Sequence, residues 1–239
     1  MDSLYGHRPL LDNDPTRPDV RRGRRNDYWD QVDFVLAASA RRSLVMALVP
    51  TWGEWVTPRF VEQPVFQTAE QGYRYGNFLG ERWRRNRGLV WILGGDRQPT
   101  EKPHAMAVWR AMAEGLADGV NGLSKMDGQA DYSTTLMTYH SMTSSSKWWL
   151  EDAWLDFHSW GTYHSTKDWP RSFTIGSQDR ELDPQRPTLN AEPCCEEMAR
   201  DYHGNAGFFT ATEVPQAAYR SLLGGSIGYT YDAHPIWQM

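Results

Sequence analysis

Two short stretches decide the fold: Trp91-Ile92-Leu93-Gly94-Gly95-Asp96 and Thr188-Leu189-Asn190-Ala191-Glu192-Pro193. Each is a short apolar run that stops at glycine or proline and carries one carboxylate at its end. Such runs are typical of buried parallel strands. In a (β/α)8 barrel, catalytic groups lie at the carboxyl ends of the strands. The two stretches therefore predict a barrel that presents Asp96 and Glu192 at its catalytic rim.

Further apolar runs predict a strand–helix alternation along the whole chain. The predicted strands are 44–49, 89–93, 134–139, 153–157, 187–191 and 225–231. The predicted helices cover 28–42 and 103–117, with another that begins at a capping box formed by Thr68 and Gln71. This alternation predicts an α/β fold. Six strands instead of eight predict an incomplete (β/α)8 TIM barrel that lacks its first one or two β/α units and its closing helix.

The domain organisation follows from this pattern. Residues 1–27 are rich in proline, aspartate and arginine and predict an N-terminal loop or arm, and 28–239 predict the partial barrel. The length of 239 residues is close to the roughly 250 of a barrel domain. Either the sequence is a fragment of a longer protein, or the barrel is open with unpaired strand edges that invite association.

Composition excludes several classes of function. The net charge is −5, and the basic clusters around Arg21 and around Arg84 belong to no nucleic-acid-binding motif, so we expect no nucleic-acid partner. No apolar run reaches the ~18 residues of a membrane span, and the first residues lack the apolar core of a signal peptide. The two cysteines, Cys194 and Cys195, are adjacent and cannot join distant segments. The compartment stays undetermined, with export possible for a longer parent protein.

The chain contains 12 tryptophans and 11 tyrosines, side chains that stack flat on sugar rings. Six tryptophans are expected in loops on the ligand side of the barrel: Trp52, Trp55, Trp148, Trp149, Trp160 and Trp169. The alternative is that each of them only packs a loop onto the barrel.

Seven motifs, in order, resemble one known family. They are Pro50-Thr51-Trp52-Gly53, residues 75–82, 91–97, 136–140 and 154–157, Glu192-Pro193 and Tyr229-Thr230-Tyr231. Together they are similar to the apiosidase-like glycoside hydrolases, family 140 and its relatives. The resemblance implies a (β/α)8 barrel that hydrolyses glycosidic bonds of plant polysaccharides, with apiose side chains of pectin as the best-defined substrate. It also implies that Asp96 is the acid/base and Glu192 the nucleophile.

The chemistry of glycoside hydrolysis agrees with this assignment. One protonated carboxyl must donate to the leaving oxygen, and one ionised carboxylate must face the anomeric carbon. We therefore expect a two-carboxylate, retaining mechanism, in which the double glycine before Asp96 lets the backbone approach the substrate. The alternative for Asp96 is a helix N-cap that follows a strand.

Further residues are candidates for binding the sugar. They are Trp52, which can stack on a ring, and His140, Asp156, His164, Tyr231 and Glu196. Tyr231 is expected on the last strand holding an oxygen of the nucleophile, and Asp156 and His164 are expected on the loop after the fourth predicted strand. No His-Glu-x-x-His or similar spacing occurs, so we expect no metal and no cofactor.

Two other functions stay open: a catalytically inactive carbohydrate-binding relative, and a barrel enzyme of different chemistry that uses the same rim. This chain has Gly161-Thr162-Tyr163-His164 where relatives often carry Gln-Ser-Gly-His. In barrel enzymes, the loops determine which substrate is bound. The sugar and linkage therefore remain undetermined by the sequence.

Overall fold

The computed structural model describes residues 6–21, 26–165 and 169–237. The chain forms two compact units, Met1–Met137 and Thr138–Met239. Across the described residues, seven α-helices alternate one by one with six strands. The predicted α/β alternation is thus confirmed.

The first unit contains three helices and two complete strands: α1 (Tyr28–Ala40), β1 (Met46–Leu48), α2 (Ala69–Trp83), β2 (Leu89–Gly94) and α3 (Ala105–Asn121). The next strand, β3 (Met137–His140), begins at the last residue of this unit. The second unit continues with α4 (Ser146–Trp149), β4 (His158–Gly161), α5 (Thr174–Arg180), β5 (Thr188–Glu192), α6 (Glu213–Leu223), β6 (Gly228–Tyr229) and α7 (His234–Trp237).

In the first unit, β1 and β2 pair in parallel, with Met46 opposite Leu89. The Trp91 amide donates to the Leu136 carbonyl, which directly precedes β3. Trp91 and Leu93 are buried, as expected for an apolar strand that is covered on both faces. The parallel pairing places the carboxyl ends of β1 and β2 at the same edge.

The helix α2 packs its backbone directly on α3. A Cβ atom at Gly76 would lie 2.3 Å from the Met112 carbonyl oxygen, and one at Gly115 would lie 2.1 Å from the Tyr73 carbonyl oxygen. Only glycine permits such an approach. The predicted capping box at the start of α2 is present, because Thr68 accepts from the Gln71 amide and the Gln71 side chain accepts from the Thr68 amide.

In the second unit, β4, β5 and β6 form a parallel sheet in that order. His158 lies opposite Thr188 at one end of the β4–β5 pair, and Gly161 lies opposite Glu192 at the other. A register shift between Trp160 and Gly161 bends β4 at that point. Glu192 is therefore the last residue of its strand, as predicted.

Several predictions about elements are wrong. The strand expected at 153–157 is instead β4, which begins at His158, and the strand expected at 225–231 is reduced to two residues. Trp154 and Leu155 are buried in the turn before β4, so their apolar character reflects packing and not strand pairing. Trp149 and Trp160 are also buried, in α4 and in β4, and do not lie in ligand-side loops.

The described part of the N-terminal arm is a loop. It has one short 3-10 turn, Leu11–Asn13, and is held to α1 by a hydrogen bond from the Trp29 indole to the Pro9 carbonyl. Arg22, Arg24 and Arg25 of the first basic cluster, and the side chain of Trp169, lie outside the described residues. In the described ranges, no helix has both the length and the apolar character that crossing a membrane requires.

Candidate active site

The first unit carries Asp96 just beyond the carboxyl end of β2. The chain enters a left-handed conformation there, with φ of 88° at Gly94, 127° at Gly95 and 51° at Asp96. The first two angles favour glycine, and aspartate is one of the few other residues that tolerates the third. The double glycine is thus a sharp turn that ends β2 and orients the carboxylate that follows.

Trp52 takes the space that the missing side chain of Gly95 leaves. A Cβ atom at Gly95 would lie 2.6 Å from two atoms of the Trp52 ring, and one at Gly53 would lie 2.1 Å from the Gly95 carbonyl oxygen. The interpretation that the double glycine lets substrate approach is therefore wrong for Gly95, whose open side is filled by Trp52. The indole is still 39% exposed, so part of it faces outward.

Glu54 and Arg97 form a nearly buried ion pair beside Asp96, and neither residue was among the sequence-derived candidates. Nε and Nη2 of Arg97 donate to the same oxygen of Glu54, and Nη1 donates to the backbone carbonyl of Asp96 at 2.8 Å. The Arg97 side chain is 8% exposed and the Glu54 side chain 12%. Arg97 therefore fixes the main chain that carries the carboxylate of Asp96.

The charge of Glu54 is strongly stabilised. Burial raises its pKa, but backbone amides of Phe60, Arg59 and Val61 and the guanidinium of Arg97 outweigh it and lower the pKa to about 2. Glu54 thus stays ionised at neutral and mildly acidic pH. The same carboxylate accepts hydrogen bonds from the loop Arg59 to Val61, so this loop and the backbone of Asp96 are connected through the Glu54–Arg97 ion pair.

The second unit carries Glu192 at the end of β5, between two histidines. Nε2 of His140, at the end of β3, lies 2.8 Å from Oε2 of Glu192, and Nε2 of His164 lies 4.0 Å from Oε1. Both imidazoles are nearly buried, whereas 25% of the Glu192 side chain is exposed. Oε2 of the carboxylate therefore lies within hydrogen-bond distance of His140, and the side chain remains reachable from outside.

The contacts of His164 indicate how its ring is oriented. The Cys195 amide approaches Nδ1 at 3.5 Å, which makes this nitrogen the acceptor. In the neutral ring the hydrogen then sits on Nε2, the nitrogen that faces Glu192. Both histidines can thus donate toward the carboxylate.

The loop after β4 is tied to the main chain of Glu192. The Thr162 and Tyr163 amides donate to the Glu192 carbonyl at 3.1 and 3.0 Å, and a Cβ atom at Gly161 would lie 2.8 Å from that oxygen. The Tyr163 hydroxyl donates to the Ser141 carbonyl at 2.6 Å, next to His140. The segment from Gly161 to His164 is thus fixed by hydrogen bonds next to the carboxylate of Glu192.

Two sequence-derived candidates, Asp156 and Tyr231, are placed differently from the prediction. Asp156 lies before β4, at the strand end opposite to Glu192, and not on the loop that follows. Tyr231 lies beyond β6, and its hydroxyl donates to Oε2 of Glu196 at 2.7 Å instead of to an oxygen of Glu192. The structure therefore joins Tyr231 and Glu196 as one surface pair, with the Tyr231 ring largely exposed.

The cysteines next to Glu192 are free and buried. Burial raises the pKa of the Cys194 thiol to about 11, and burial together with a hydrogen bond to Asp232 raises that of Cys195. Both thiols are therefore poor nucleophiles at neutral pH. His140, His164 and Glu192 are side chains of the kind that bind transition metals. The expectation that no metal is bound stays a prediction.

Comparison with known proteins identifies what this architecture resembles. The profile of the family described as "Apiosidase-like, catalytic domain" matches residues 1–239. A crystal structure of a glycoside hydrolase family 5 protein from Bacteroides vulgatus ATCC 8482 is similar at 25% identity with a TM-score of 0.83, over 99% of this chain and 49% of that one. A second structure, described as a glycoside hydrolase, has 23% identity and a TM-score of 0.84, over 99% and 52%.

The chain thus spans about half the length of these two solved structures. The second likeness shows the fold alone, and the fold of this chain is similar to that of glycoside hydrolases of the TIM-barrel type. No curated protein matches the sequence.

Proposed function

We propose, from the premise that the chain belongs to the apiosidase-like catalytic domain family, that it carries the catalytic residues of a glycoside hydrolase with a retaining, two-carboxylate mechanism. The observation that carries this proposal is the setting of Glu192. A part-exposed carboxylate at the end of a parallel strand, 2.8 Å from a nearly buried imidazole, has the features expected of a glycosidase nucleophile.

In this proposal Glu192 attacks the anomeric carbon and forms a glycosyl-enzyme ester. His140 holds Oε2, and Oε1, toward which the hydrogen on Nε2 of His164 lies, is the attacking oxygen in this proposal. The bond between the anomeric carbon and the leaving oxygen breaks as the ester forms. Water then attacks the ester, which releases the sugar and regenerates the carboxylate.

Asp96 is proposed as the acid/base. It donates a proton to the leaving oxygen in the first step and takes one from the attacking water in the second. Its place just beyond β2 and the Arg97 contact to its own carbonyl support this role, since a proton donor must be held in one position.

The proposed substrates are side chains of plant-type polysaccharides such as pectin, with apiose as the first sugar to examine. The family membership supports this class. Trp52 is the proposed stacking surface for a ring, because its indole is firmly seated and part-exposed. The proposed partner is therefore a carbohydrate. Asp156 is not included, because it lies at the other end of β4.

We propose for the fold an incomplete (β/α)8 barrel. The parallel pairing within each sheet, the strict alternation of helices with strands and the likeness to glycoside hydrolases support it.

The competing function is a barrel relative that binds carbohydrate without cleaving it. To separate these two functions, hydrolysis of pectic polysaccharide is measured for the wild type, for Glu192→Ala and for Glu181→Ala. The last variant is the control, because it changes an exposed glutamate after α5. The hydrolase proposal predicts that Glu192→Ala lowers kcat by several orders of magnitude while Glu181→Ala is unaffected. Residual activity of Glu192→Ala within about tenfold of the wild type would contradict its role as nucleophile.

A further inference from the structure

A second feature of the first unit has no role in the mechanism above. A cavity of about 300 Å³ lies beside the carboxyl end of β1. Its walls include Leu10 of the N-terminal arm, Tyr28 of α1, Val49 of the segment after β1, and Trp52, Trp55 and Phe66 of the loop that follows. The volume is at the lower end of small-molecule sites, which suits one or two sugar rings.

The chemistry of this cavity favours a neutral, ring-shaped ligand. None of its described lining residues carries a carboxylate, an ammonium or a guanidinium group. Five of the twelve lining residues are aromatic and offer flat apolar faces. Burial raises the pKa of Tyr28, so this phenol keeps its proton at neutral pH and can donate a hydrogen bond.

The walls are firmly held, as a binding site requires. The Tyr75 hydroxyl donates to the Pro50 carbonyl at 2.9 Å, which fixes the segment after β1. Phe66 and Tyr75 pack edge to face with ring centroids 5.2 Å apart. The Val65 and Phe66 amides both donate to the Trp55 carbonyl, so the loop closes on itself around the cavity.

Trp52 connects the cavity to the turn that carries Asp96. Its ring packs on Gly95, the residue directly before Asp96, and also lines the cavity. A ring bound in the cavity would therefore share a wall with the turn that presents the acid/base. Within the first unit, this is the geometry expected of a sugar next to the one being cleaved.

We propose that this cavity, which we call the Trp52 cavity, is a subsite for a neutral sugar ring of the polysaccharide substrate. Its assignment to the substrate rests on the proposed hydrolase function, whereas its capacity to bind a neutral sugar does not. The aromatic stacking selects the ring faces, and the lack of a cationic group disfavours uronic acids.

The test uses saturation-transfer NMR with the intact chain and the methyl glycosides of xylose, rhamnose, galactose and galacturonic acid as probes. Val49→Trp places a large ring in the cavity, and Val49 is 40% exposed and outside β1, so the strand pairing is undisturbed. The matched control is Val45→Trp, an exposed valine at the opposite end of β1 that does not line the cavity. Thr51→Trp fills the same cavity from a second position.

The proposal predicts transfer to at least one neutral glycoside in the wild type and in Val45→Trp, and at least tenfold weaker binding in Val49→Trp and Thr51→Trp. Equal binding in all four proteins, no transfer to any neutral glycoside, or a preference for the galacturonide would each overturn it.

Hydrolysis of pectic polysaccharide is measured on the same proteins. If none of the proteins hydrolyses pectin, and Val49→Trp loses sugar binding, the hydrolase function is contradicted while the cavity remains a sugar site. A chain that hydrolyses pectin with equal efficiency in all four proteins would contradict the subsite alone.

Discussion

At the scale of single residues, the two carboxylates and the groups that hold them were not equally predictable. Asp96 and Glu192 stand at the ends of short apolar runs, and this local pattern was enough to place Glu192 at the end of β5 and Asp96 just beyond β2. Glu54 and Arg97 are 43 residues apart, and their ion pair exists only because the fold brings the segment after β1 beside the turn after β2. No local signal marks such a contact.

The prediction from the sequence placed Asp156 and Tyr231 wrongly, and the cause is physical. Trp154, Leu155 and Phe157 are buried in the segment before β4, so the prediction mistook their burial for strand pairing and placed Asp156 at the wrong end of β4. Tyr231 was placed on a strand that ends at Tyr229. Short apolar runs cannot distinguish a buried strand from a buried turn.

The ion pair of Glu54 and Arg97 leads to the first prediction. Arg97→Lys keeps the positive charge but loses the fork that binds Glu54 and the Asp96 carbonyl together. Because the effect is on the position of a proton donor, we expect kcat on pectic polysaccharide to fall at least tenfold, with KM changed less than about threefold.

The matched control is Arg59→Lys, an exposed arginine whose ion pair with Glu101 is at the surface. It should leave both constants unchanged. An Arg97→Lys enzyme that loses only stability, with wild-type kcat, would show that Arg97 has no positioning role.

Asp96 gives the second prediction. Asp96→Asn cannot donate a proton, so we expect kcat on substrates with poor leaving groups to fall by about 10²–10⁴-fold. With an aryl glycoside, whose leaving group needs little protonation, the rate of the first step should fall much less. A uniform loss on both substrates, or none, would contradict the assignment of Asp96 as the acid/base.

At the scale of elements, the chain stabilises its helices by two kinds of local signal. Capping boxes begin α1 and α2, and the one at Thr68 was predicted from its spacing. The glycines at the α2–α3 contact are different, since their purpose is visible only when both helices are present. The helices α4, α5 and α7 were missed because their four, seven and four residues are too few to show helical periodicity. The helix α6 was missed although its eleven residues bury Val214, Ala217 and Ser221 at helical spacing.

The contact of α2 with α3 gives a third prediction. Gly76→Ala adds a Cβ atom 2.3 Å from a main-chain oxygen of α3, so the helices must move apart. We expect the free energy of unfolding to fall by about 1–3 kcal/mol, measured by denaturant titration. Gly88→Ala is the control, because its Cβ atom would meet only the Asn86 side chain at an ordinary 3.6 Å. Equal stability of the two variants would be the contrary result.

The strand β4 begins with a buried histidine, which gives a fourth prediction. His158 is fully buried, and among the described residues neither ring nitrogen has a hydrogen-bond partner. Burial lowers its pKa below the usual 6.5; the charge of Arg186 also lowers it, and Asp179 opposes both. The unfolded chain therefore binds a proton as the pH falls through 6.5, while the folded chain does not.

We thus expect the contribution of His158 to be constant above pH 6.5 and to decline below it, by at most about 1.4 kcal/mol per pH unit. Denaturant titrations between pH 8 and pH 5 measure this slope. His158→Asn should flatten it in that range, whereas His203→Asn, which changes an exposed histidine, should not. A slope that is identical in wild type and His158→Asn would show that another group causes it.

At the scale of the whole molecule, the α/β class followed from the regular alternation of strands and helices, and the structure has that alternation throughout its described residues. The family membership adds the class of chemistry. The sugar does not follow from either, because loops determine the substrate in barrel enzymes. The Trp52 cavity could not be predicted from the sequence either, since its walls come from four separate segments: the N-terminal arm, α1, the stretch after β1 and α2.

The most direct measurement is intact-mass spectrometry of the Asp96→Ala variant incubated with nitrophenyl glycosides of apiose and other neutral sugars. An activated leaving group allows the first step without an acid, and the missing base slows the second, so a covalent intermediate should accumulate. We predict an adduct of one glycosyl residue, mapped by peptide digestion to Glu192 and absent from the Asp96→Ala/Glu192→Ala variant. An adduct on another side chain, or turnover that releases sugar of inverted configuration with no adduct, would contradict Glu192 as the nucleophile of a retaining glycosidase.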